Sequence, residues 1–315
     1  MAREIPKTEE LEPFENLDRI ATVELRMQGI PKGIVRRLYA TARGDGDPLA
    51  YRAARPLLAC GGERVALVTG IVFEPQPHGE VDGPVGAAVL AQTLEELGVA
   101  ADVVVPEELG AVVDAVRTSL RAGFELRHAA RPAREYASVV AIEKLGRNRV
   151  GTTHTVLGAP LAQDFAADDL VEELNRTERP TIGIGDGGNE VGFGAIYEQA
   201  CELVPRGRDC GCPCGAGIVT TTATGILFPA AVSNFGAYAV AGSLAVLAGR
   251  PELAPYPDAV GSAIDAAVRE GCLDGGTFLP NVLADDGIPV EGVKAVVGVM
   301  RTIVQQHFRW TPRSG

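Results

Sequence analysis

RVALVTGIVF (residues 64–73), PQPHGEVDG (75–83), PVGAAVLAQTLEELG (84–98) and ADVVVP (101–106) follow one another almost without interruption. The first is a short β-branched apolar run set off by Gly61-Gly62 before it and a Pro-rich loop after it, which is the pattern of a buried strand. From Pro84 to Leu97 the apolar residues Ala87, Val89, Leu90, Leu94 and Leu97 share one helical side, with Pro84 suited to a first turn and Gly98 to a stop. ADVVVP then reads as a second strand. Strand, helix and strand at this spacing require a right-handed crossover and parallel pairing. The region therefore predicts an α/β fold: a doubly wound, mostly parallel sheet with flanking helices.

Further strands are expected at Ser138–Ile142, Thr181–Ile184 and Gly217–Thr222, and helices near 167–176, 189–203, 235–248, 258–270 and 290–307. Upstream, residues 9–59 show helical periodicity through Ile20, Val23, Leu25 and Met27, then Ile34, Val35, Leu38 and Tyr39. The expected organisation is an N-terminal helical segment (1–60) packed on an α/β domain (61–315). The longest apolar stretch, Gly225 to Leu247, is interrupted by Pro229, Ser233 and Asn234, so it reads as a buried strand followed by a helix rather than a membrane span. The Ala- and Gly-rich helix at 235–249 would pack in the core or between the subunits of a homo-oligomer.

Composition narrows the function. With 315 residues, 46% hydrophobic and 22% charged, a sizeable core is available. A net charge of -12 without a basic stripe argues against nucleic acid and against anionic membranes. The start, MAREIPKTEELEPFENL, is too charged for a secretory signal and too acidic for a mitochondrial transit peptide, and six cysteines without an export signal suggest a reducing compartment. A cytoplasmic protein is expected.

Ligands of open α/β sheets sit beyond the carboxyl ends of strands, so the residues after each strand are the candidates. His78, Glu80 and Asp82 follow the first strand; carboxylates there would hold an amine or a divalent cation, or Asp82 would simply cap the helix. Glu143, Lys144, Arg147, Asn148 and Arg149 crowd the end of SVVAI, with Thr152, Thr153 and His154 beyond. An arginine here suits a substrate carboxylate and Glu143 an ammonium or a proton, although loops of this kind are often only solvated. TIGIGDGGNEVGFG runs from a strand straight into Gly185, Asp186, Gly187, Gly188, Asn189 and Glu190. Its G-x-G-x-x-G at Gly183, Gly185 and Gly188 carries an acid where a pyrophosphate would approach, so it is no dinucleotide fingerprint. Ser233 and Asn234 in AAVSNFGAYAVAG suit an N-cap or a carboxylate at a helix N-terminus.

Cys210, Cys212 and Cys214 alternate in RDCGCPCGAG. On an extended segment they would face one way, but the paired C-x-x-C of familiar zinc sites is missing. No H-x-x-x-H, G-x-S-x-G or Walker G-K-[ST] occurs.

ALVTGIVF with EVDGPVGA, AIEKLGR, GIGDGGNEVGFG, CGAGI and VSNFGAYA, in this order between Arg64 and Ala241, resemble the C-terminal domain of the D-glutamate cyclase family, with weaker similarity around Asp274-Gly275. Where relatives continue the E-x-x-G-R loop with Asp-Gly and tyrosines, this chain has NRVGTTHTV, and Phe235 replaces the aromatic of S-N-W-G. The resemblance implies closure of D-glutamate to 5-oxo-D-proline with loss of water, the work of a carbon-oxygen lyase. On that footing Glu143 is the candidate base. Arg147, with Asn189 or the amides of Gly187 and Gly188, would stabilise the oxyanion, and Asn234, with Ser233, would fix the other carboxylate. Glu80, Asp82, Asp186 and Glu190 would position the amine, or a Mg or Mn ion held by Asp82, Asp186 and Glu190. His78, Arg149 and His154 complete the expected substrate contacts. Two alternatives remain: a metal-dependent hydrolase or lyase acting on a lactam or small amino acid, and an amino-acid-binding protein without chemistry.

Overall fold

The computed structural model describes residues 8–26, 33–73, 78–162 and 166–310. Three helices come first: α1 (Thr8–Ala21), α2 (Ile34–Arg43) and α3 (Leu49–Ala59). Then β1 (Arg64–Thr69), α4 (Pro84–Glu96), β2 (Ala100–Val104), α5 (Gly110–Leu120), β3 (Glu125–Arg127), β4 (Ser138–Ile142), α6 (Ala166–Arg176) and β5 (Thr181–Gly185) follow. The chain continues through α7 (Tyr197–Leu203), β6 (Ile226–Pro229), α8 (Ser233–Ala248) and α9 (Pro257–Arg269). Two small antiparallel pairs, β7 (Leu273–Asp274) with β8 (Leu279–Pro280) and β9 (Ala284–Asp285) with β10 (Ile288–Pro289), precede α10 (Val290–Trp310).

The six long strands form one parallel sheet in the order β3-β2-β1-β4-β5-β6. The order reverses between β1 and β4, the doubly wound arrangement whose ligand crevice opens at that reversal. Alternation along the strands divides the interior. Val65, Leu67, Val140, Ile142, Ile182 and Ile184 join the large core that includes α4 and α8, whereas Ala66, Val68, Val139 and Ala141 meet Ala167, Leu170, Val171 and Leu174 of α6. Helix α8 is apolar all round because it is enclosed: every residue from Ser233 to Val246 is buried. Its Ala- and Gly-rich surface thus packs inside the chain. Among the described residues no helix is long and apolar enough to cross a membrane.

The N-terminal helices belong to the same core. Phe14, Leu17, Leu49 and Leu57 pack into it, and the buried Asp18 carboxylate caps α3 through the amides of Leu49 (2.6 Å) and Ala50 (3.0 Å).

Three expectations are corrected. Gly217–Thr222 is not a strand: the Thr221 amide donates to Arg147 O (2.8 Å), and Thr222 O accepts from Gly192 (2.8 Å), so this β-branched run spends its backbone on two loops and the ladder is taken by β6. The helix expected from 189 begins at Tyr197, because Val191 and Gly192 donate to Lys144 and Thr222 instead of to an earlier turn. Val23 to Arg26 lie outside any helix, and Met27 falls outside the described residues. The crossover α5 and edge strand β3 lacked a sequence expectation.

Candidate active site at the sheet reversal

At the reversal, β4 ends in Glu143, whose backbone turns into the left-handed region (φ 44°) while its amide donates to Ile184 O (3.1 Å). Such a conformation costs a non-glycine residue free energy, and it sets the carboxyl at the strand's end. The Ser233 hydroxyl donates to Glu143 Oε2. Gly83 (φ 94°) lies so close that a Cβ there would strike Thr69 Oγ1 and come within 2.9 Å of Glu143 Cβ, so only glycine fits.

The two helices that begin here cap one another. Asp82, just before α4, accepts at Oδ2 from the Ser233 amide (2.9 Å) and at Oδ1 from the amides of Asn234 (2.7 Å) and Gly83 (2.9 Å). Asn234, at the start of α8, accepts at Oδ1 from the amides of Gly83 (3.0 Å) and Gly86 (2.7 Å) and donates Nδ2 to Val81 O (3.1 Å) and Asp285 Oδ2 (2.9 Å). Each side chain therefore meets orphan amides at the other's helix.

The loop after β5 folds around its own carboxylate. Glu190 accepts from the amides of Asp186 (3.2 Å) and Gly187 (2.6 Å) at Oε1 and of Gly188 (2.7 Å) at Oε2. Asn189 donates Nδ2 to His154 O (2.8 Å).

Between these loops lies a cavity of about 490 Å³ lined by Glu80, Glu143, Asp186, Glu190 and Asp286, with Arg26, Gly187 and Asn189 among them and Val156, Leu157 and Phe278 on an apolar wall. Asp82 and Asp285 stand beside it. Arg26 Nη1 is 2.9 Å from Asp186 Oδ2 and also pairs with Asp286. One guanidinium cannot offset so many buried carboxylates. Burial first, then neighbouring carboxylates, hold Glu80, Asp82 and Glu143 well above the usual carboxylate range. Burial also raises Asp186, against the pull of Arg26, and pushes Asp285 up to about 8. Ligand oxygens of Asp82, Asp186 and Asp286, and of Glu143, Asp186 and Glu190, approach within 4.8 Å of one another, close enough to share a cation.

Apart from Arg26, the residues named around this cavity lie in a segment that matches one family. The match to it, described as D-glutamate cyclase-like, C-terminal, covers residues 47–301. The chain belongs to this family. Human mitochondrial D-glutamate cyclase is 25% identical over 274 residues, covering 75% of this chain and 42% of the human protein. The chain thus spans about two fifths of the length of that curated relative.

Within this D-glutamate cyclase-like domain, Glu80, Glu143, Asp186, Gly187, Asn189 and Glu190 meet at one cavity as the sequence suggested. Others do not. Arg147 turns to α6, with Nη1 3.0 Å from Asp169 and Nη2 2.5 Å from Glu172, because its backbone is pinned to the 220–221 segment. Arg149 is exposed and reaches Gly215 O (3.4 Å), and the exposed His78 ring lies beside Gly271. His154 is buried among cysteine thiols. The amides of Gly187 and Gly188 are spent on Glu190, and Ser233 and Asn234 act behind the cavity wall. Sequence reading missed Arg26, Asp285 and Asp286; the Asp-Asp-Gly turn at 285–287 was the available signal for the last two.

Proposed function

We propose that this cavity closes D-glutamate, or a close analogue, to 5-oxo-D-proline with loss of water, as a carbon-oxygen lyase. The observation carrying the proposal is the buried Glu143 carboxyl, held by Ser233 at the sheet reversal and facing a cavity that also contains Arg26 and Asn189. Glu143 takes a proton from the substrate ammonium, and the freed nitrogen attacks the side-chain carboxyl carbon. A C–N bond forms, a C–O bond breaks, and two protons pass from nitrogen to the departing oxygen, which leaves as water. Glu143, once protonated, is placed to return one of them. Arg26 and Asn189 face the oxyanion, while Glu80 and Asp186 hold the ammonium.

D-glutamate carries two carboxylates against one ammonium, and it enters an acidic cavity only if that excess negative charge is offset. Asp285, pushed up to about 8 by burial and given no part in the step, supplies part of the answer by staying protonated near neutral pH. A Mg or Mn ion at Glu143, Asp186 and Glu190 would supply the rest by compensating charge; at Asp82, Asp186 and Asp286 it would have to displace Arg26. The same surplus of carboxylates favours a second reading, a metal-dependent opening of a lactam.

Proton NMR of the full chain with D-glutamate, L-glutamate and 5-oxo-D-proline, each with EDTA or with added Mg or Mn, tests these readings. Appearance of 5-oxoproline from the D isomer alone supports the cyclase. Consumption of 5-oxoproline only with metal supports the second reading, and no change in any sample overturns both.

A further inference from the structure

Away from the cavity, four ligand-type side chains that the proposed reaction does not use come together. Cys210 Sγ lies 3.1 Å from Cys212 Sγ and 3.3 Å from Cys214 Sγ; His154 Nε2 lies 3.3 Å from Cys212 Sγ and 3.4 Å from Cys214 Sγ. One ligand atom from each lies within 4.8 Å of all the others. A tetrahedral zinc ion with Zn–S of ~2.3 Å has S···S edges of about 3.8 Å, so the two S···S distances are about 0.5–0.7 Å short of that edge and a small outward shift of the thiols admits the ion. Both distances are also well beyond a bonded S–S length of ~2.05 Å.

The surroundings are built for such a site. His154 is wholly buried, and its Nδ1 finds no partner among the described residues, so thiols are the ring's polar company. That is a poor environment for an imidazole unless a cation joins it to the sulfurs. The Cys214 amide donates to Cys212 Sγ (3.4 Å) and Asn148 Nδ2 to Cys214 Sγ (3.7 Å). Such donors stabilise thiolate charge. Gly158 (φ 87°) lets the histidine loop close on the cysteine loop: a Cβ there would strike Cys210 O.

We propose that Cys210, Cys212, Cys214 and His154 form a closed, four-coordinate zinc site. It clips the 148–162 loop to the 206–219 loop, releasing the thiol protons as it forms. Because Thr155 to Leu157 line the cavity and His154 O receives Asn189, the clip fixes one cavity wall without touching substrate.

The full chain, purified from medium containing zinc and free of affinity tags that bind metal, should carry about one zinc per chain. Exchange into Co(II) should produce thiolate-to-cobalt charge transfer together with the intense d–d bands of a tetrahedral ion. Oxygen ligands of the acidic cavity give no such charge transfer, so the two sites are distinguishable. Cys212→Ser should lower zinc content at least tenfold; if that variant does not fold, the cobalt spectrum of the unaltered chain still decides. Absence of both zinc and charge transfer, iron with acid-labile sulfide, or loss of two free thiols under non-reducing denaturation would each overturn the assignment.

Discussion

Glu143 occupies a conformation that carboxylates seldom adopt, at a position where its removal should hurt chemistry more than folding. Glu143→Gln keeps the Ser233 hydrogen bond but cannot take a proton, so turnover of D-glutamate should fall by about 10²- to 10⁴-fold with an unchanged circular dichroism spectrum. Undiminished turnover would eliminate the proposed base. Ser233→Ala has a different signature. The hydroxyl stabilises the ionised carboxylate, so deleting it raises the Glu143 pKa further. The rising acid limb of the pH–rate profile should shift to higher pH, while a purely structural role would lower the rate equally at all pH values. Much of this was legible in sequence because Glu143 and Asp186 directly follow their strands and Asn189 lies in the loop that β5 runs into. Arg26 was not. It meets Asp286 across 260 positions, and nothing in the local pattern of the N-terminal segment separates it from a surface arginine. Arg147 and Arg149 misled for the converse reason: charge density after a strand says nothing about which side of the loop each side chain leaves from.

At the scale of elements, α4 and α8 begin side by side, each capped by a residue of the other. Replacing Asn234 by Ala would leave the buried Gly86 amide without its side-chain acceptor and Gly83 with Asp82 alone, at a cost of about 2–4 kcal/mol read from denaturant unfolding. Asp82→Ala should cost a similar amount. The two losses should not add: a coupling of about 0.5–3 kcal/mol is expected from a double-mutant cycle, and additivity would show that the caps act independently. Strand and helix identities here were readable because β1, β4 and β5 each contain an unbroken apolar run (residues 65–68, 139–142 and 182–185) and α8 is enclosed. The pairing that sets Gly217–Thr222 aside in favour of Ile226–Pro229 was not, since both runs suit a strand and only distant loop carbonyls decide between them.

For the whole molecule, buried acids set the pH response. Asp285 is pushed up to about 8 and Asp18 to about 6, in both cases by burial. A carboxyl whose folded pKa exceeds its unfolded value near ~3.9 binds its proton more tightly when folded, so stability falls as pH rises from the lower value through the higher. Chelator-treated protein should therefore melt at progressively lower temperature between about pH 4 and pH 8. A divalent ion in the cavity should flatten that decline. A melting temperature that rises across the window would mean that the acids are ionised and compensated throughout.

The guanidinium that answers this acidity comes from residue 26, upstream of residue 47 where the family match begins. The segment that carries the strand-end acids and the segment that carries their counter-ion are therefore separable: a chain begun at residue 47 would keep every strand-end motif and lose the cation that faces them, leaving a cavity that calls for a metal ion or a cationic ligand in its place.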